Sequence, residues 1–278
     1  MTSPLVSTQW LAEHLDAPDI RIADASWYLP DAGRSAKAEY QSAHIARAVF
    51  FDLEDLSDEN NSLPHMLAPA AKFASRMRRM GLGDGNLIVV YDGAGLYSSP
   101  RAWWMLKAMG HEDVRVLDGG LPKWRREGRP VEDMAPPAYP RHFTPRQNHA
   151  LLRNFEQMRK VQESGGQIVD ARSPSRFAGR EPEPRSGVRP GHIPGSVNVH
   201  YASLIAEDGT LKTADELREI FKNRGVDLSK PVVTSCGSGV TATIVMLGLA
   251  VAGASDVALY DGSWAEWGAR GDAAVGVG

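Results

Sequence analysis

Apolar and polar positions follow two periods along this chain, and the second half shows them most clearly. Short runs rich in β-branched residues at Gln167–Asp170, Val197–Val199, Val232–Ser235 and Val257–Leu259 predict strands. Apolar residues at helical spacing predict helices over Asn154–Ser164, Thr213–Asn223 and Val240–Ala252. Thr213 with Glu216 three residues later reads as a capping box, which fixes where the second helix starts. Strands alternating with helices argue for an α/β fold, a parallel sheet flanked by helices. Sheets of this kind carry their sites at the carboxyl ends of strands.

The same pattern occurs twice. Ile20-Arg-Ile-Ala-Asp24-Ala-Ser26 recurs as Gln167-Ile-Val-Asp170-Ala-Arg-Ser173, and His44-Ile-Ala-Arg-Ala-Val49 as His192-Ile-Pro-Gly-Ser-Val197. Leu87-Ile-Val-Val-Tyr-Asp92-Gly-Ala-Gly95 recurs as Val232-Val-Thr-Ser-Cys236-Gly-Ser-Gly239. Val116-Leu-Asp118-Gly-Gly-Leu-Pro-Lys-Trp124 recurs as Leu259-Tyr-Asp261-Gly-Ser-Trp-Ala-Glu-Trp267. The offset of roughly 145 residues is too long for a solenoid repeat and marks two copies of one domain. The expected division is a first copy over 1–135, a linker over 136–150 within a Pro-rich stretch, and a second copy over 151–278.

Composition narrows the class. The chain has 278 residues, 42% apolar and 23% charged, with a net charge of −3, so nothing favours nucleic acid as a partner. The longest apolar run, Thr243 to Ala254, is too short to span a bilayer and reads as a buried helix. Met1-Thr-Ser-Pro-Leu-Val-Ser7 lacks the charged and apolar regions of a signal peptide, so a cytoplasmic protein with no membrane partner is expected.

Cys236 is the only cysteine, and it stands where the Val232–Ser235 strand runs into the following helix. Gly237 and Gly239 allow a tight turn that brings N–H groups toward one point. A helix N-terminus leaves N–H groups unpaired and carries partial positive charge, which favours a thiolate there. A buried structural thiol is the plainer alternative. With one cysteine there is no internal disulfide, CxxC pair or cysteine-based zinc site. A sulfur-loaded Cys236 must therefore pass its cargo to another molecule. Asp92 occupies the matching position in the first copy and cannot perform thiolate chemistry, so that copy is expected to be silent, at most walling a ligand site.

Cys236-Gly-Ser-Gly-Val-Thr-Ala242, Arg176-Phe-Ala-Gly-Arg-Glu-Pro-Glu-Pro-Arg185 and Gly191-His-Ile-Pro-Gly195 resemble the tandem-domain rhodanese sulfurtransferases. The resemblance extends over nearly the whole chain. It implies two tandem rhodanese-like domains, a cysteine nucleophile in the second, and a substrate site between them. Thiosulfate-using members carry an Arg-Lys pair after the cysteine; here Gly237 and Ser238 are uncharged, as in the branch that takes sulfur from 3-mercaptopyruvate. A monocarboxylate thiol needs less positive charge beside the sulfur, and Ser238 offers a hydroxyl for proton movement.

The resemblance also implies that Arg176 and Arg185 hold the donor, since a guanidinium fork binds a carboxylate bidentately. Pairing with Glu181 and Glu183, or simple solvation, is the alternative for both. Backbone groups of Gly237, Gly239, Val240 and Thr241 are implied to hold the charged sulfur, as a nest of N–H groups does. His65 matches a histidine placed near substrate, and Glu54 stands where relatives have an aspartate in a proton relay, with Asp52 as its neighbour alternative. His44 and His192 are expected to brace loops. No cofactor or metal is implied. The acceptor is expected to be thioredoxin-like, a small thiol, or cyanide. A cysteine phosphatase is excluded because its arginine position is Ala242. Thiosulfate as donor, and a non-enzymatic sulfur-carrier or partner-binding role, are the remaining alternatives.

Overall fold

The computed structural model describes residues 3–137 and 139–278; Met1 and Thr2, in the expected first copy, and Ala138, in the expected linker, lie outside them. The chain divides into two compact units. The first comprises Met1–Glu59, Leu67–Asn148 and Ala206–Leu211, and the second Asn60–Met66, His149–Ile205 and Lys212–Gly278. The division departs from sequence order only at two short loops, Asn60–Met66 and Ala206–Leu211.

Each unit is built on a five-stranded parallel sheet, and the strand order is the same in both. In the first it runs Leu5–Val6, Val114–Leu117, Leu87–Tyr91, Ile20–Asp24, Ala48–Phe50. In the second it runs Leu152–Arg153, Val257–Tyr260, Val232–Ser235, Gln167–Asp170, Val197–Asn198. Register repeats as well: Tyr91 pairs with Asp24 as Ser235 pairs with Asp170. Asp92 and Cys236 are thus each the first residue beyond a central strand.

The helices of the second unit begin and end where side chains satisfy loose backbone groups. Phe155–Glu163 opens on Asn154, which forms a capping box with Gln157. Ala214–Asn223 opens on Thr213, whose capping box with Glu216 is present as expected. The third helix starts at Ala242, two residues later than the apolar pattern suggests. Gly239 has a left-handed backbone (φ 79°), and the turn it makes takes up Val240 and Thr241. The Ala242–Ala252 helix is buried nearly all round. A Cβ on its Gly248 would stand 3.1 Å from Leu204 Cδ1, tighter than an ordinary contact, while Leu217 and Phe221 lie at ordinary contact distance. Among the described residues no helix is long and apolar enough to cross a membrane.

Both cores use the duplicated tryptophan. Trp124 packs with Leu11, Ile22, Val89 and Tyr91 and donates its indole N–H to the Pro130 carbonyl at 2.8 Å. Trp267 packs with Phe155, Ile168, Val233 and Tyr260 and donates to the Ala274 carbonyl at 2.8 Å. His44 and His192 each bond a carbonyl on the preceding loop or helix, that of Tyr40 at 2.7 Å and of Phe177 at 2.8 Å, and stack on that residue's ring.

The stretch expected as a linker carries packing of its own. Arg146 and Asn148 donate backbone N–H groups to the Met109 and Ala108 carbonyls at 2.8 and 2.7 Å. Phe143 is buried against Phe73. This buried side chain, with those backbone hydrogen bonds and those of Thr144 to Asp84, lays residues 141–148 along the first unit. The Ala206–Leu211 loop is held there too. The Leu211 N–H donates to Asp118 Oδ1 at 2.8 Å, and Asp208 faces Lys123 at 3.5 Å. Burial pushes the Asp118 carboxyl up to about 6, with the nearby Asp208 charge adding to the rise.

The folded carboxyl therefore binds its proton more tightly than the unfolded chain does. The contribution of Asp118 to stability is greatest while it is protonated and falls as pH rises from the ordinary carboxylate range through about 6. Asp118→Asn keeps an oxygen to accept the Leu211 N–H and removes the charge. It should raise the melting temperature at pH 7.5, by a free energy on the order of 1–2 kcal/mol after solvent screening, and leave it unchanged near pH 4. Thermal unfolding at the two pH values checks this.

Candidate functional site

The Cys236 backbone is fixed from the neighbouring turn. Its N–H donates to Ser263 Oγ at 3.3 Å, its carbonyl accepts the Trp264 N–H at 2.9 Å, and the Gly237 carbonyl accepts that of Ala265 at 2.9 Å. Ser263 has φ 49°, a left-handed backbone that a serine adopts only under constraint. Its equivalent in the first copy is Gly120, with φ 52°, and there the Leu121 N–H donates to the Asp92 carbonyl at 3.0 Å. Cys236 itself is only 2% exposed.

The first copy shows what that loop holds. Asp92 Oδ2 accepts backbone N–H groups from Tyr97, Ser98 and Ser99 at 2.9, 3.0 and 2.8 Å, plus the Ser99 hydroxyl at 2.7 Å. Oδ1 accepts the Ala94 N–H at 2.9 Å. An anionic atom just past the central strand thus sits in a nest of N–H groups at the start of the Ser99–Ala108 helix. The equivalent loop positions beyond Cys236 are Ser238, Thr241, Ala242 and Thr243.

Arg176 lies beside this loop. Its Nη2 is 3.1 Å from the point where a Cβ on Gly237 would stand, so the guanidinium covers the glycine. It rises from the short Pro174–Phe177 helix, capped by Ser173. Glu183 Oε2 binds the same Nη2 at 2.5 Å, so the alternative pairing with Glu183 is present together with the placement over the loop. Glu181 binds Ser175. Arg185 is in the same unit but exposed, without a polar partner among the described residues. Ser238 is half-buried, with its hydroxyl uncommitted among the described residues.

His65 belongs to the Asn60–Met66 segment of the second unit and has a left-handed backbone, φ 59°. Glu54 belongs to the first unit, where Oε1 accepts the Trp27 indole N–H at 2.7 Å. Asp52 accepts the backbone N–H groups of Glu54 and Asp55 at 3.1 and 3.4 Å, the work of a loop carboxylate.

Sequence reasoning missed Arg172. Burial works against its charge, yet attraction from Asp170, then Glu183 and the Cys236 sulfur, raises its pKa above the ordinary arginine value. The clue lay in the repeat: where the second copy has Arg172, the first has Ser26, whose backbone N–H caps Asp24 as that of Arg172 caps Asp170, both at 2.9 Å. A small neutral residue beside Asp92 becomes a buried cation beside Cys236.

A rhodanese-like domain model matches residues 7–127 and 154–270, one match in each copy. The chain belongs to the rhodanese family. Human 3-mercaptopyruvate sulfurtransferase is 45% identical over 270 residues, covering 95% of this chain and 91% of that protein. The crystal structure of SseA from Escherichia coli, described as a 3-mercaptopyruvate sulfotransferase with a rhodanese fold, superposes with a TM-score of 0.87. It is 43% identical and covers 95% of this chain and 99% of that one. A rat thiosulfate sulfurtransferase is also 42% identical over 271 residues, with 95% and 91% covered, so overall identity does not separate the two donors.

Asp92→Ala empties the first nest and leaves several buried N–H groups unsatisfied. It should destabilise the protein by on the order of 3 kcal/mol, read as a lower urea midpoint. Asp92→Asn, which keeps one acceptor oxygen, should lose less.

Proposed function

We propose that this chain is a sulfurtransferase that moves sulfur from 3-mercaptopyruvate through a Cys236 persulfide to a thiol acceptor or cyanide, releasing pyruvate. The observation that carries this reading is the Cys236 loop, whose twin in the first copy already holds an anion on its backbone N–H groups. Two further supports are the Arg176 guanidinium over Gly237 and the identity to 3-mercaptopyruvate sulfurtransferases.

In the first half-reaction the Cys236 thiolate attacks the donor sulfur. An S–S bond forms, the donor C–S bond breaks, and its electron pair leaves as the enolate of pyruvate, which takes up a proton. Arg176 and the exposed Arg185 bind the donor carboxylate and carbonyl. N–H groups from Gly237 to Thr241 hold the persulfide charge. Ser238 and His65, both of the second unit, handle the proton released from the donor thiol. In the second half-reaction the acceptor thiolate attacks the outer sulfur, the S–S bond breaks, and Cys236 returns to thiolate. Electrons and atoms balance without an organic cofactor or metal. The acceptor is a thioredoxin-like protein or a small thiol, and a thiol that must be reduced to act suits the cytoplasm.

The similarity to a thiosulfate sulfurtransferase favours a second donor. Against it, the two positions after Cys236 carry no charge, whereas thiosulfate is a dianion.

Intact-mass spectrometry after addition of each donor separates these readings. A gain of about 32 Da, one sulfur on a reactive thiolate, is expected with 3-mercaptopyruvate and only weakly with thiosulfate. Cys236→Ser should remain folded and gain nothing. Full turnover in that variant would overturn the scheme.

A further inference from the structure

Three buried charges of the second unit, Asp170, Arg172 and Glu183, have no part in the steps above, and they are locked together. Arg172 donates from Nε to both Asp170 oxygens at 3.1 Å and from Nη2 to Asp170 Oδ2 at 2.7 Å and the Gly191 carbonyl at 2.8 Å. Its guanidinium also lies 4.5 Å from the centre of the Trp264 ring. Every edge but one is therefore taken, and Arg172 cannot swing. The remaining edge, at Nη1, meets Glu183 Oε1 at 2.8 Å.

Glu183 spends its other oxygen on Arg176, and its side chain is only 3% exposed. Arg176 is thereby gripped by a carboxylate on one side and stopped by bare Gly237 on the other. Its Nε is buried and has no hydrogen-bond partner among the described residues. A guanidinium held this way has lost its rotamer freedom before any ligand arrives, which lowers the cost of binding a carboxylate.

We propose that Glu183 is a positioning residue for sulfur transfer, fixing the Arg176 guanidinium over Gly237 with Arg172 as its immobile support. The proposal rests on the reading that Arg176 receives the donor carboxylate. Position and charge pull in opposite directions here, which makes the idea testable. If Glu183 only balanced charge, its neutralisation would leave Arg176 more strongly cationic and would tighten donor binding. If it positions Arg176, neutralisation frees the guanidinium and weakens binding.

The test is steady-state turnover of 3-mercaptopyruvate with cyanide as acceptor. Glu183→Gln should raise KM about tenfold with kcat changed less than about twofold, as expected for loss of an interaction made equally in ground and transition states. In an Arg176→Ala background the same substitution should add no further rise in KM, because Glu183 acts only through Arg176. Should Glu183→Gln fail to fold, Glu183→Asp keeps the charge but is too short to bridge both arginines, and it too should raise KM. An unchanged or lowered KM in the folded variant overturns the proposal, as does a full additional rise in the Arg176→Ala background. Sulfur loading of the wild-type protein, read by mass, keeps the two ideas apart. If the wild type does not load, the reading of the site fails; if it loads and KM is insensitive to Glu183, only the positioning role fails.

Discussion

Backbone N–H groups at the start of a buried helix need an anion or another acceptor, and this chain meets the need once with Asp92. The carboxylate fills a nest that the central strand, the tight turn and the Ser99–Ala108 helix create together. Strand order and register repeat in the second sheet, so Cys236 occupies the position of Asp92 at the end of the central strand, although there the Thr243 N–H, equivalent to that of Ser99, donates to the Val240 carbonyl at 3.1 Å. The rest of the site depends on this.

Around that nest the second unit adds charge that the first lacks. Asp170, Arg172, Glu183 and Arg176 alternate in sign from the end of one strand to the rim of the cysteine loop. Buried charges are tolerated only when paired and hydrogen-bonded, and here each satisfies the next. The ladder ends at Gly237, where the absence of a side chain makes room for its last member. A charged side chain at that position, as in the thiosulfate branch, would compete with Arg176 for the same space.

Much of this was legible in the residues before the fold was. β-branched runs marked four of the five strands of the second unit to within one residue, and missed the two-residue edge strand Leu152–Arg153, which is too short to carry an apolar run. The Thr213–Glu216 box located a helix start because its signal is local. The cysteine loop was readable for the same reason: strand, turn and helix are contiguous. Glu183 was legible only as a partner for Arg176, and Arg172 not at all, since the bridge between them arises only when the segments around Asp170, Glu183 and Gly237 fold onto one another. Residues 136–150 read as linker because they fall in a Pro-rich, polar stretch, yet Phe143 and the backbone hydrogen bonds of Arg141, Arg146 and Asn148 tie 141–148 to the first unit. Arg185 shows the converse, a residue picked out by motif that the fold leaves exposed.

Asp92 has one more consequence. In an aspartate, a carboxylate oxygen stands two bonds beyond Cβ; in a cysteine persulfide, the outer sulfur stands two bonds beyond Cβ as well. The oxygen that collects N–H groups in the first loop is thus a covalent stand-in for the transferable sulfur proposed on Cys236. One half of the molecule displays permanently, in oxygen, the charged state that the other half would visit once per turnover.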